Sequence, residues 1–169
     1  MGQLNLGTSG TITASTSLSL GVVPCFSARA TNSGNGVWTT SHPTPIPFDA
    51  VDVNRGNCYS GSTHKFTCPL AGVYKMDVSL ISGGTNHWFR GSMLFETAGG
   101  TQSIIHKSQS DYAGNSDLDF THCGFSIIYP FAVGDKLWVT LDTASSDTES
   151  VYCGESGVYS IFNGMFVSA

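Results

Sequence analysis

Charged side chains are scarce in this sequence. Only 11% of the 169 residues are Asp, Glu, Lys or Arg, whereas about a quarter is usual in a globular domain. The seven Lys and Arg are scattered and the net charge is −5, so no basic stripe is available to neutralise phosphates. The composition therefore excludes nucleic acid as a partner. A surface rich in Ser, Thr, Asn and Gly instead suits an extracellular or virion protein that packs against copies of itself.

Long apolar runs and basic leader segments are also missing. No run approaches the roughly eighteen apolar residues that a membrane helix needs, so we expect no membrane insertion. The first charged residue is Arg29, and hence no basic segment precedes an apolar one as it does in a secretory leader. With Met1 as a native start, we expect synthesis in a cytosol, where the protein stays or enters a particle.

Paired cysteine spacings are absent as well. The five cysteines are Cys25, Cys58, Cys68, Cys123 and Cys153, and an odd count without paired spacing makes a poor disulfide framework. We interpret them as small buried apolar residues, since free cysteine is among the most buried residue types. A pair such as Cys58 with Cys153 stays open at this point, because sequence gives no distances.

The residues that carry chemistry form no known catalytic arrangement. There is no nucleophile elbow, phosphate loop or zinc motif, so no enzyme is predicted. Adjacent residues of a strand face opposite ways, and His122 and Cys123 are therefore unsuited to binding one ion. The other histidines, which also lack metal-ligand spacing, are His42, His64, His87 and His106.

Two groups of acidic residues are the remaining candidates for an ion. Asp117 and Asp119 share one face of a predicted strand, and Asp142, Asp147 and Glu149 lie in an acidic loop. Carboxylates grouped in this way hold calcium in some proteins. A solvated acidic surface is the favoured interpretation, with a calcium site as the alternative. No other cofactor is predicted.

Apolar residues recur mainly with the period of two that marks β-strands. No segment of ordinary helix length shows a helical period. About ten short strands, separated by turns rich in Gly, Asn and Asp, predict an all-β antiparallel sandwich or jelly roll. The segment 73–80 alternates apolar and polar residues as a half-buried strand does.

Aromatic and turn residues fall at fixed intervals between residues 48 and 78. The residues that set these intervals are Phe48, Asn54, Tyr59, Phe66, Gly72 and Tyr74. At this spacing they resemble the signature of the globular heads of complement component C1q, which are relatives of the tumour necrosis factor family. Met76 and Val78 stand where that family favours aromatic residues, but both are apolar and predicted to point inward. The segments 133–139 and 162–166 carry two further features of the family.

The resemblance implies an antiparallel jelly-roll domain over residues 24–169 that assembles as a homotrimer. It makes Tyr59, Tyr74, Phe120 and Phe162 candidates for the shared interior of the trimer or for the core beside it. The chain contains 10 Phe, 6 Tyr and 3 Trp, and aromatic residues are favoured at buried interfaces. Ordinary core packing is the alternative for any one of them.

Residues 1–23 lie outside the resemblance and carry no charge. Their apolar residues alternate with small polar ones, which is typical of strands, but they are too few to form a core. We therefore predict an extended arm that binds another protein; a disordered tail is the alternative. The apolar residues of this arm are Leu4, Leu6, Ile12, Leu18 and Leu20.

The arm also resembles the first residues of tailed-bacteriophage structural proteins. We therefore expect a virion protein, in which trimeric heads decorate and cement a capsid while their arms bind the major capsid protein or another virion protein. One alternative is the tip of a tail fibre, with loops 109–116 and 142–156 contacting a host glycan. The other is a secreted module similar to complement C1q.

Overall fold

A computed structural model of the chain describes residues 21–31, 37–39, 43–82, 88–111, 121–141, 150–152 and 160–169. Within these ranges all regular structure is β-strand, and none of it is helical. The all-β prediction is therefore confirmed, although the described strands outnumber the roughly ten that turn spacing suggests. They are β1 (Cys25–Arg29), β2 (Val37–Thr39), β3 (Ala50–Arg55), β4 (Tyr59–Ser60), β5 (Lys65–Thr67), β6 (Gly72–Ser82), β7 (Trp88–Glu96), β8 (Gln102–Asp111), β9 (Thr121–Phe131), β10 (Lys136–Leu141), β11 (Ser150–Tyr152) and β12 (Ile161–Ser168).

The strands form two antiparallel sheets. The first has the order β2-β11-β6-β12-β1-β3, and β9 also pairs with β6 along its whole length. The second has the order β4-β5-β10-β7-β8. The two sheets face each other across one hydrophobic core, which gives the jelly-roll sandwich that the sequence predicts.

Alternation along β6 shows how the sequence sets the two faces of the first sheet. Tyr74, Met76, Val78 and Leu80 are at most 5% exposed and point into the core. The residues between them point to the other side, as the period of two requires. Met76 and Val78 are thus inward-pointing, as predicted from their apolar character.

Aromatic rings fill the core between the sheets. Phe26 stacks on Tyr59 with a centroid separation of 4.7 Å and meets Phe162 edge-on at 4.9 Å. The Tyr59 hydroxyl donates to the carbonyl oxygen of Phe48 at 3.0 Å, which satisfies the one polar atom of that buried ring. Burial raises the pKa of Tyr59 well above its usual range.

The chain reverses direction directly after β3. Asn54 and Arg55 still belong to β3, and the reversal occurs at Gly56 and Asn57, with φ values of 75° and 50°. The Asn54 side chain holds the reversal together: its amide donates to the carbonyl of Tyr59 at 2.7 Å, and its oxygen accepts from the Tyr59 N–H at 3.1 Å.

Four of the five cysteines are free thiols in the described residues. Cys58, Cys68 and Cys123 are buried, and Cys25 is half-buried. The interpretation as buried apolar residues is confirmed for the first three. Because Cys58 is a free thiol, the alternative pair with Cys153 is not formed; Cys153 itself lies outside the described residues.

Candidate subunit interface

The face of the first sheet that points away from the core carries exposed apolar side chains. Met165 pairs with Cys25 on one side and with Lys75 on the other, and Lys75 pairs with Ile128. Ile128 is 67% exposed and Met165 is 51% exposed. Apolar side chains grouped on a flat, solvent-facing sheet are typical of a surface that another protein covers.

A row of polar side chains crosses the same face next to the row that contains Met165 and Ile128. Ser27, Asn163, Asp77 and Ser126 are partners in register on four adjacent strands. The side-chain oxygen of Asn163 is buried and has no hydrogen-bond partner among the described residues. It borders a depression of about 320 Å³ whose rim includes Val53. A buried acceptor of this kind is costly unless a donor from outside the chain reaches it.

Ion pairs neutralise much of the charge on this face. The Arg29 guanidinium donates to both carboxylate oxygens of Asp52, at 2.6 and 2.8 Å. This hydrogen-bonded contact holds the pKa of Asp52 below its ordinary value. Lys75 and Asp77 pair at 3.1 Å. The face therefore offers a neighbouring molecule apolar contact and satisfied charges.

A second apolar surface lies where the lateral edges of the two sheets meet. In the described part of the chain, β8 pairs only with β7, and β9 pairs only with β6. Ile105, Ile127 and Tyr129 are partly buried between them against the core. The Tyr129 ring meets Phe95 at a centroid distance of 5.4 Å. We call this surface the β8–β9 seam.

The predicted interface aromatics do not lie on either surface. Tyr59 is 4% exposed, and Tyr74 and Phe162 are 0% exposed within the single chain. Rings enclosed by their own subunit offer little area to another one, so of the two predicted places, the shared interior or the core beside it, these rings lie in the core. The structure shows the alternative for all three, ordinary core packing. Phe120 lies outside the described residues.

The remaining predicted site residues also lie outside the described residues. They are the arm residues Leu4, Leu6, Ile12, Leu18 and Leu20, and the acidic residues Asp117, Asp119, Asp142, Asp147 and Glu149. Among the residues that are described, no group of three or more His, Cys, Asp and Glu side chains is placed to hold a metal ion. His122 is exposed and Cys123 is buried, which confirms that they face opposite ways.

Most of loops 109–116 and 142–156 likewise falls beyond the described ranges. The described part of the chain contains no helix with the length and apolarity needed to cross a membrane.

Comparison with known protein families shows to which family this β-sandwich belongs. The sequence profile described as "C1q domain" matches residues 25–167, most of the chain. The chain belongs to the C1q domain family. The match begins at the first strand and ends in the last one, so the two surfaces described above belong to the C1q domain itself.

Curated relatives extend well beyond this domain. The mouse collagen alpha-1(X) chain is 28% identical over 124 residues, which are 73% of this chain and 16% of the relative. Mouse complement C1q tumor necrosis factor-related protein 2 is 26% identical over 160 residues, 88% of this chain and 47% of the relative. This C1q domain protein therefore spans less than half the length of these relatives.

Solved structures share the fold at low identity. The globular domain of the zebrafish complement 1qA protein superposes with a TM-score of 0.63 at 18% identity, covering 85% of this chain and 97% of that one. The structure of murine APRIL at pH 5.0 superposes with a TM-score of 0.64 at 12% identity, covering 86% of this chain and 99% of that one. These likenesses show the jelly roll that C1q and tumour necrosis factor domains have in common.

Proposed function

We propose that this chain is a non-enzymatic C1q-like head that acts as a homotrimer. In this assembly the outward face of the first sheet in one subunit receives the β8–β9 seam of the next. The two surfaces differ, so the contact is heterologous, and a three-fold rotation closes it without leaving an unpaired surface. The observation that carries the proposal is the exposure of Ile128 and Met165 in one cross-strand row of that face.

The energetics favour covering this face. Burying a side chain the size of Ile128 or Met165 stabilises an assembly by about 1.5–3 kcal/mol. The Asn163 oxygen, buried and without a partner among the described residues, is satisfied when a neighbouring subunit brings a donor to it. The ion pairs on the face join opposite charges, so covering the face leaves no lone charge buried.

The trimer is tested by placing a charge on the face. Ile128→Asp and Met165→Asp each introduce a carboxylate that is desolvated only in the assembly. At micromolar concentration we expect the unmodified protein to sediment as a trimer and both variants as monomers. Val133→Asp is the matched control, since Val133 is 60% exposed but lies in the turn between β9 and β10.

Two results would contradict the trimer. One is a monomeric unmodified protein at micromolar concentration. The other is an unchanged sedimentation coefficient for Ile128→Asp and Met165→Asp while both remain folded by circular dichroism.

We further propose that the trimer decorates a virion, with arms formed by residues 1–23. The support is compositional: the arm carries no charge and alternates apolar with small polar residues, which suits strand addition to a neighbouring capsid or virion protein. Three arms per trimer add avidity. Such a protein is made in the host cytoplasm and ends on the capsid surface. Virions lacking it should lose infectivity faster on heating; equal heat resistance would contradict cementing.

A recognition module similar to complement C1q is the second candidate. It is favoured by the curated relatives, one of which is a complement C1q tumor necrosis factor-related protein. A tail-fibre tip that binds a host glycan is the viral form of this candidate. Imaging of labelled protein distinguishes these three functions. A capsid decoration lies on the shell of the virion, a tail-fibre tip lies on the tail, and a recognition module similar to complement C1q lies outside any particle.

A further inference from the structure

The turn between β4 and β5 packs against the segment that leads into β3. We call residues 60–64 the β4–β5 turn. Gly61 has no room for a side chain, because an added Cβ atom would lie 2.9 Å from the backbone oxygen of Asp49 and 3.0 Å from a methyl carbon of Val51. The turn therefore lies directly against the start of β3, although the two belong to different sheets.

Hydrogen bonds keep the β4–β5 turn compact. The His64 N–H donates to the carbonyl of Ser60 at 2.7 Å, and the Thr63 N–H donates to the Ser60 hydroxyl oxygen at 3.2 Å. His64 ends the turn in a left-handed conformation with a φ of 58°. A residue other than glycine keeps such a conformation only where surrounding contacts hold it, so the turn depends on how the His64 ring is packed.

The His64 ring has a buried nitrogen atom without a partner. The Nδ1 atom is buried and has no hydrogen-bond partner in the described part of the chain, while the residue as a whole is half-buried. A neutral imidazole carries one N–H, whereas an imidazolium ion carries an N–H on both nitrogens. Protonation therefore places a charged donor at Nδ1, where no described acceptor reaches it.

Asp49 is the acidic group that faces the His64 ring from the segment before β3. It attracts a protonated ring, as does the nearby carbonyl of Phe48, but the burial of the ring has the larger effect. The pKa of His64 is therefore below its ordinary value. The Asp49 Oδ1 atom is already engaged, since it accepts from the Thr31 N–H at 2.8 Å and from the Thr31 hydroxyl at 2.9 Å.

The titratable side chains of β4 and β5 offer no acceptor for a proton at Nδ1. The Tyr59 hydroxyl donates to the carbonyl of Phe48 at 3.0 Å, and burial raises the pKa of Tyr59, so it stays protonated. The Lys65 ammonium lies over the Trp138 ring, 3.6 Å from its centroid. Only the neutral form of His64 thus fits the packed turn.

We propose that protonation of His64 releases the β4–β5 turn from the start of β3, so that this corner of the sandwich opens in acid. A histidine whose pKa is lower in the folded state stabilises the packed turn above about pH 6.5, the value for an unperturbed ring. This stabilisation is lost as the pH falls from there towards the folded-state pKa. The proposal does not depend on the trimer or on a virion.

The opening should be local, because aromatic contacts hold the residues beside the turn. Tyr59 stacks on Phe26 at a centroid distance of 4.7 Å. Phe48 contacts Phe162 at 5.7 Å. Neither contact involves a group that titrates in mild acid, so the aromatic core stays closed while the turn is released.

Hydrogen exchange measured by NMR on the full chain tests the proposal at about pH 7.5 and about pH 5. After correction for the intrinsic pH dependence of exchange, the amides of Thr63 and His64 should lose protection several-fold at the lower pH, because local opening exposes them. The Thr97 amide, which donates to the carbonyl of Thr101 in the turn between β7 and β8, should keep its protection.

His64→Asn should abolish this response. Asn tolerates the left-handed conformation and carries no titratable group. His122→Asn is the matched control, because it removes an exposed histidine from the first sheet, and it should retain the response. A response that persists in His64→Asn, or that disappears in His122→Asn, would overturn the proposal.

Titration of the His64 ring in the unmodified protein gives a measurement that needs no variant. The NMR shift of the Cε1 proton should change with a midpoint below about pH 6.5, and the turn should lose protection over the same pH range. A midpoint at or above that value, or equal protection of the turn at both pH values, would also overturn the proposal.

Discussion

At the scale of single residues, Gly164 makes room for the side chains of Phe26 and Met76, its cross-strand partners in the first sheet. It lies on the core side of β12, and a Cβ atom at this position would overlap the ring of Phe26 and come within 2.6 Å of the Met76 sulfur. Phe26 is fixed in turn by its stacking on Tyr59. No neighbour gives way without disturbing the aromatic core, and close-packed cores tolerate added volume poorly.

We therefore predict that Gly164→Ala lowers the free energy of unfolding by about 1–3 kcal/mol. Urea denaturation measures this loss. Gly99→Ala is the control, because the nearest atom to its added Cβ is the Thr97 hydroxyl oxygen at an ordinary 3.7 Å. Equal midpoints for the two variants would contradict the close approach of β12 to Phe26.

At the scale of elements, the turn between β9 and β10 is held by one carboxylate. Asp135 accepts from the Ala132 N–H within its own turn and from the Ala98 N–H of the neighbouring turn between β7 and β8. Gly134 supplies the positive φ of 87° that the reversal needs. The side chain thus connects the end of the first sheet to the second.

We predict that Asp135→Ala destabilises the domain by about 1–3 kcal/mol for each N–H left without an acceptor. Asp135→Asn keeps a single side-chain oxygen, so its stability should lie between that of Asp135→Ala and that of the unmodified protein. Thermal unfolding midpoints rank the three proteins. The surface change Asp52→Ala, which removes only an exposed ion pair, should cost much less; an equal cost would argue against a special role for the turn.

At the scale of the whole molecule, the described part of the domain relies on packing without disulfide bonds. Burial raises the pKa of Cys58 to about 11 and also raises the pKa of Cys68. The thiolate is the form that reacts with alkylating reagents. Both thiols are therefore protected by low accessibility and by a small thiolate fraction.

Alkylation at pH 8 should consequently label Cys58 only when the domain opens. Its thiolate fraction in the folded state is about two orders of magnitude below that of an unfolded cysteine. Mass spectrometry of labelled peptides should show Cys58 and Cys68 modified together, and only on unfolding. Rapid labelling of Cys58 in native buffer would contradict this packing.

Much of the sandwich could be predicted from local sequence. The alternation of residues 73–80 specifies β6, and the Gly-Asp pair at residues 134–135 marks the turn into β10. The spacing from Phe48 to Tyr74 indicates the C1q family. The outward face could not be predicted, because Ile128 and Met165 look the same in sequence as buried residues of the same type.

Local sequence specifies that this chain forms β-strands, where most of them turn, and which side chains share a face, because these properties follow from neighbouring residues. Which face of each strand is covered depends on how the two sheets pack. Tyr59, Tyr74 and Phe162 are enclosed, whereas Ile128 and Met165 remain outside. The physical reason is that covering depends on pairings between strands far apart in the chain, and these pairings place the two sheets over one another.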